Sequence, residues 1–417
     1  MRLKGSGLAS LLRGLALAVC VSRFFQRFVF VLSVAIFAAL GLGFVLGEFG
    51  WFGVHAGGQQ DGAYREMRVY AEVLKKVQSD YVTQPNIDKV TDGALHGLLE
   101  SLDADSSYLT PTEYKIFKDR PAAGSAQIGV TVSKRYGYAT IVNILPGSPA
   151  DQAHLEDGDV IEAVGGQSSR QISLAVIRMM LEGKPGTTVN LELVRPFKPA
   201  PDKLTLTRAV TPPPDLLSQE YDGSSILYLK PGMLSEARVN EIAARLKSAR
   251  NQKILIDLRD TTGNDEQQGL RLANFFIKQG TLGMLVGQKF PQQTFTADPA
   301  KFITGAPLAV LVNHGTYGAA ELFAGAIADS KRGDVVGERT FGEGSVQKTI
   351  EMPDGAALML TVAKYESPSG NKIQDNAVDP TVAVAQPAED EFHPAPKTDD
   401  TLDKGLSLLR AKTDKGA

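Results

Sequence analysis

Residues 307–333, PLAVLVNHGTYGAAELFAGAIADSKRG, read as a strand, a tight turn and a helix. The apolar run 308–312 has the length of a buried strand, 314–318 carries two glycines, and 319–328 repeats apolar residues at helical spacing. Such a turn can present a hydroxyl or thiol nucleophile, with the helix N-terminus behind it as an anion site. Here the last turn residue is Gly318, which has nothing to present. Three nearby side chains carry a hydroxyl or a base: Thr316, Ser345 and His314. Ser345 falls where GSV enters a strand, and His314 reads as a polar turn residue. A nucleophile among them must also lie within reach of oxyanion donors. Thiol chemistry is excluded from the folded part, because the only cysteine is Cys20. The same fact excludes disulfides and thiolate metal sites there. The five histidines (His55, His96, His154, His314, His393) show no ligand spacing, so neither a metal site nor a cofactor is expected.

A chain of 417 residues is long enough for two or three domains. Its composition, 43% apolar and 22% charged, is that of a globular protein, and a net charge of -3 gives no reason to expect nucleic acid. The uncharged run 28–47, FVFVLSVAIFAALGLGFVLG, is about long enough to span a bilayer. Arg2, Lys4, Arg13, Arg23 and Arg27 precede it, and Glu48 is the first charge after it. The positive-inside rule leaves the N-terminus in the cytoplasm and exports the rest. Residues 1–57 are therefore read as a cytoplasmic N-terminus plus signal-anchor. A cleaved signal peptide is the alternative; the run is long for a signal core, and VHA at 54–56 is a poor cleavage site.

Residues 58–121 are expected to be helical, with YREMRVYAEVLKKVQSDYV and DKVTDGALHGLLESL separated by TQPN. Residues 122–197 form a compact block of short strands with one helix, SLAVIRMML. FKPAPDK, 197–203, reads as a linker. From 198 to 385 apolar strands alternate with helical stretches, which predicts a layered α/β sheet. Residues 386–417 form an acidic, proline-rich tail with one further helix, TLDKGLSLLRAK.

The stretches ILPGSPADQAHLEDGDVIEAVGG and KPGTTVNLELVRP resemble a PDZ domain in the circularly shifted form found in bacterial proteases. That resemblance makes Ala126, Gln127, Ile128, Gly129 and Val130 the carboxylate loop and the start of the peptide-pairing strand. A PDZ fold used only as a spacer or lid is the other reading. The whole order of pieces, with LHGLLESLDADSSYL, ILIDLRDTTG, VNHGTYGAAELFAGAIAD, VGERTFGEGSVQ and LTVAKYESPSGNKIQDNAVDP, resembles the carboxyl-terminal processing proteases of peptidase family S41. The implied fold class is α/β (α+β): a membrane anchor, a helical segment, an inserted PDZ domain and an S41-type domain.

The family cuts peptide bonds with a Ser–Lys dyad, whose lysine is kept neutral by burial. The resemblance places the nucleophile at Gly318 and the lysine at Glu343, while Gln347, which orients that lysine, is retained. Gly263 and Ala319 fall at the oxyanion hole, and Asn264 stands where the family has glycine. The implied protein is an inner-membrane, single-pass, periplasmic pseudoprotease. It would bind protein C-termini or unfolded polypeptide, as a homo-oligomer or paired with active S41 relatives. Two alternatives stay open: an active serine-type endopeptidase with a relocated nucleophile, and a membrane-tethered scaffold that binds no peptide.

Overall fold

The computed structural model describes residues 60–120, 126–135, 137–195, 200–249, 251–263, 265–384 and 398–412. The expected anchor at 28–47 and Asn264 lie outside the described residues. Among the described residues no helix is long and apolar enough to cross a membrane. The chain divides into two units, 1–86 and 87–417. The first contains the helix Gln60–Asp80. The second opens on the helix Ile87–Glu100, with Asp88 favourably placed in its first turn.

The region that resembles a PDZ domain is built on a five-strand path, with Val130–Arg135, Tyr138–Ile144, Val160–Val164, Thr188–Val194 and Asp202–Thr207 in that order. All four pairings are antiparallel. Inward residues such as Val132, Ile141, Ile161 and Leu191 alternate with outward polar ones and pack under the helix Leu174–Leu181. Ser173 caps that helix by accepting from the Val176 amide. The expected linker is partly strand: Asp202–Thr207 pairs with Thr188–Val194, Asp202 opposite Leu193. The proline pair in FKPAP hid a hairpin, because backbone pairing on its far side outweighed local composition.

The remaining region has two sheets where the sequence suggested one. The central sheet runs Leu217–Tyr221, Ile226–Lys230, Lys253–Asp257, Leu308–Val312, Asp334–Gly337 and Val382–Ala383. All pairings after the first are parallel. Leu308–Val312 is buried throughout, as a strand covered on both faces must be. Leu308, Val310 and Val312 face the helices Glu236–Ser248, Glu266–Asn274 and Ala319–Asp329. Ala309 and Leu311 face the helix Asp400–Ala411, through its Leu406 and Leu409. The second sheet joins Ser107–Leu109, Ala357–Glu366, Thr281–Val286 and Gln293–Thr296, with Ser345–Glu351 paired to Ala357–Glu366. The LDADSSYL segment and the strand that follows Glu343 flank Ala357–Glu366 on its two edges.

Candidate functional site

The turn at 314–318 hangs between the last residue of a buried strand and the first residue of a buried helix. Thr316 is fully buried, and its hydroxyl donates to the Leu258 carbonyl at 2.9 Å and accepts from the Asn313 amide. It is a structural pin and does not line the cavity described below. His314 is exposed and also lies outside the cavity described below. Gly318 takes φ 62°, ψ -118°, which favours glycine. A Cβ there would stand 2.4 Å from the Gly263 carbonyl oxygen, so the position is closed to a side chain unless that peptide moves.

The donors around the turn are already engaged. The Ala319 amide bonds to the Gly263 carbonyl at 3.1 Å. Glu321, completely buried, accepts from the amides of Gly318 (3.0 Å), Gly342 (2.7 Å) and Glu343 (2.8 Å), and from the Thr340 hydroxyl. One carboxyl thus ties the turn helix to the loop 340–343. Burial pushes its pKa up to about 7 against those hydrogen bonds, which favour the charged form. The Gly344 amide bonds to the Gln374 side chain at 2.8 Å.

Glu343 ends this loop, with its residue 8% exposed. Its carboxylate accepts from the Ser345 hydroxyl at 2.7 Å, and Gln347 Nε2 donates to that same hydroxyl oxygen at 2.6 Å. Asp105, also buried, faces Glu343, and Arg178 Nη1 approaches Asp105 at 3.4 Å. Burial, then the like charge of Asp105, push Glu343 up to about 8. Asp105 is raised too, mainly by burial. Two carboxyls that cannot both ionise cheaply hold a proton between them. Sequence reasoning found Glu343 and Ser345 but missed Asp105 and Arg178.

These groups line a cavity of about 350 Å³. The cavity is shared with Gln127, Gly129 and Val130 of the expected carboxylate loop, and with Gly263. The Ile128 and Gly129 amides donate to no described residue, whereas the Gln127 amide is spent on Ala209 O at 3.0 Å. Gly129, at φ 87°, packs so closely that a Cβ would meet Ser148 at 2.1 Å. Ala126 and Gln127 instead form a short strand against Gly183 and Glu182. The Val130–Arg135 strand lies at the sheet edge, which suits strand addition by a peptide. Arg178 Nη2 donates to Val132 O at 3.2 Å and so occupies part of that edge. Among the described residues no group of three His, Cys, Asp or Glu is placed to hold a metal ion.

The raised Glu343 pKa carries a stability consequence. Its folded value, about 8, exceeds the usual 4.5, so the folded chain holds this proton more tightly. The stabilisation is complete at low pH and is lost as pH rises through about 8. Asp105, Arg178, Glu321 and Tyr317 are the charged or titratable groups that act on it. Glu343→Gln, which cannot ionise, is expected to melt at least about 3 °C above the native chain at pH 9, corresponding to roughly 1 kcal/mol. The gap should shrink toward pH 5. Thermal melts of both chains across that range check it; a gap that does not change with pH would contradict the assignment.

The profile of peptidase family S41 matches residues 226–384, and that of a PDZ domain matches 140–195. The chain is 31% identical over 321 residues to a carboxyl-terminal-processing protease of Synechocystis sp., covering 75% of each chain. It is 30% identical over 399 residues to the carboxy-terminal processing protease CtpA of Bacillus subtilis, covering 94% of this chain and 84% of that one. Among solved structures, the photosystem II D1 C-terminal processing protease superposes with a TM-score of 0.62 at 24% identity, over 76% of this chain and 93% of that one. That structural likeness concerns the fold.

Proposed function

The chain belongs to the carboxyl-terminal processing proteases of peptidase family S41, with a PDZ domain, and from that premise we propose that it is a member that binds polypeptide without cutting it. The observation that carries this reading is the turn at Gly318. The helix N-terminus where a nucleophile would stand has no side chain, and a neighbouring carbonyl closes the space for one. The amides of Gly318 and Ala319 are engaged internally, which takes the Ala319 donor out of the expected oxyanion hole and leaves the Gly263 amide as its remaining donor. At 343 a carboxyl replaces the amine that a Ser–Lys mechanism needs. The Ile128 and Gly129 amides, beside a strand edge that Arg178 covers only in part, support capture of a terminal carboxylate by the PDZ domain. The apolar run 28–47 supports a tether in the inner membrane, with the bulk of the chain in the periplasm. Homo-oligomers, or assemblies with active relatives, fit the same role.

A second reading is favoured by one contact. Ser345 donates to Glu343 at 2.7 Å within the cavity, and a carboxylate with a raised pKa is a stronger base than usual. Against it, the amides of Gly342, Glu343 and Gly344 are all spent, so a serine attacking from 345 gets no oxyanion donor from its own loop. Incubating the full chain with labelled casein and with a fluorophosphonate probe separates the readings. The expected result is uncut casein and no label. Turnover and labelling that both vanish in Ser345→Ala would establish the relocated nucleophile and end the non-cleaving reading.

A further inference from the structure

The shared cavity has an imbalance of charge. Four carboxyl groups line it, Asp105, Glu182, Glu266 and Glu343, against one cation, Arg178. Glu182 is paired outside this count, with Arg120 at 3.2 Å. Arg178 serves Asp105. Glu343 accepts the Ser345 hydroxyl and shares a proton with Asp105 rather than meeting a cation of its own, and Glu266 has no cationic partner among the described residues. A separate observation concerns Tyr317. Its residue is 6% exposed, it lines the same cavity, and its hydroxyl makes no hydrogen bond among the described residues. A phenol oxygen that reaches the cavity, and carboxyl groups with no cation of their own on the same wall, suit a donor-rich cation, which would displace the proton that Asp105 and Glu343 share.

We propose that this cavity receives the basic side chain, lysine or arginine, of a polypeptide whose C-terminus lies in the PDZ loop. The inference rests on the peptide-binding reading above and names what the peptide must carry. Gly129 and Val130 line the cavity together with Glu343 and Tyr317, so a chain end at the Ile128 and Gly129 amides stands within a few residues' reach of the carboxyls. An ammonium or guanidinium presents several N–H donors and no acceptor, which suits the carboxylates and the phenol oxygen. An acidic or apolar side chain would leave the carboxylates uncompensated. A divalent ion finds no set of three ligands among the described residues.

The test uses the full chain and fluorescent ten-residue peptides with an apolar, free C-terminus. Lysine, or uncharged norleucine of similar length, is placed in turn at each of the four positions before the last. Lysine at one or more positions is expected to tighten binding about tenfold over norleucine, the scale of a close charge pair at an interface. In Glu266→Gln and in Glu343→Gln that advantage should fall below about twofold, while the norleucine peptide binds as before and so reports a folded PDZ domain. Equal binding of lysine and norleucine peptides at every position overturns the proposal and leaves peptide binding intact. So does a lysine advantage that survives in both variants. If the norleucine peptide does not bind the native chain at all, the peptide-binding reading fails and this one falls with it.

Discussion

A Gly318→Ser, Glu343→Lys double variant is expected to cut casein only slowly, and adding Asp105→Asn is expected to raise the cleavage rate by about 10- to 1000-fold over the double. Restoring the two side chains does not restore their chemistry. A lysine at position 343 would face the buried Asp105 carboxyl, which now faces Glu343. An opposite charge that close raises a lysine pKa by about 1–3 units, and each unit lowers the neutral, base-competent fraction tenfold. Arg178 neutralises Asp105 only in part, at 3.4 Å. A serine at position 318 must also displace the Gly263 carbonyl from 2.4 Å, so residual activity stays well below that of an intact enzyme. Single variants should be inert, because the two groups act as a unit. The assay is initial rate on labelled casein for the native chain, both singles, the double and the triple. A double variant as active as the triple would show that Asp105 does not hold the lysine.

Amidating the C-terminus of a bound peptide is expected to weaken binding at least about a hundredfold. The free-acid peptide should bind in the micromolar to tens of micromolar range, roughly 6–8 kcal/mol. Its carboxylate would accept from the Ile128 and Gly129 amides, the donors in the loop that no described residue uses. Charge-assisted bonds to a carboxylate are about twice as strong as neutral ones, and an amide brings its own donors against those N–H groups. Gly129→Ala should lose binding as well, since its Cβ would collide with Ser148 at 2.1 Å. Fluorescence anisotropy of matched free-acid and amidated peptides checks this. Equal affinities would remove the terminal carboxylate from the recognition.

Much of this was legible in the sequence. The strand, turn and helix from Leu308–Val312 to Ala319–Asp329 followed from a continuous apolar run, two glycines and a helical repeat. Thr188–Val194 and the helix after Ser173 followed in the same way. Pairings between distant segments were not legible. Asp105 lies in a loop that reads as polar connection, and only the strand Ser107–Leu109, paired to Ala357–Glu366, carries it to Glu343. Arg178 sits on a helix whose other residues are mostly core, and a single charge there reads as surface. Thr316 was a plausible nucleophile by type and place, but the direction of its hydroxyl, inward to Leu258, is set by tertiary contact. The five-residue carboxylate loop narrows to two free amides because its first two residues are drawn into a strand.

The most direct test of binding without cutting follows both events in one sample. A labelled peptide with an apolar free C-terminus is incubated with the full chain, its binding read by anisotropy and its mass then measured. Saturable micromolar binding with the peptide recovered at full length is the predicted result. Recovery of cleaved peptide, from the native chain and not from Ser345→Ala, would contradict it.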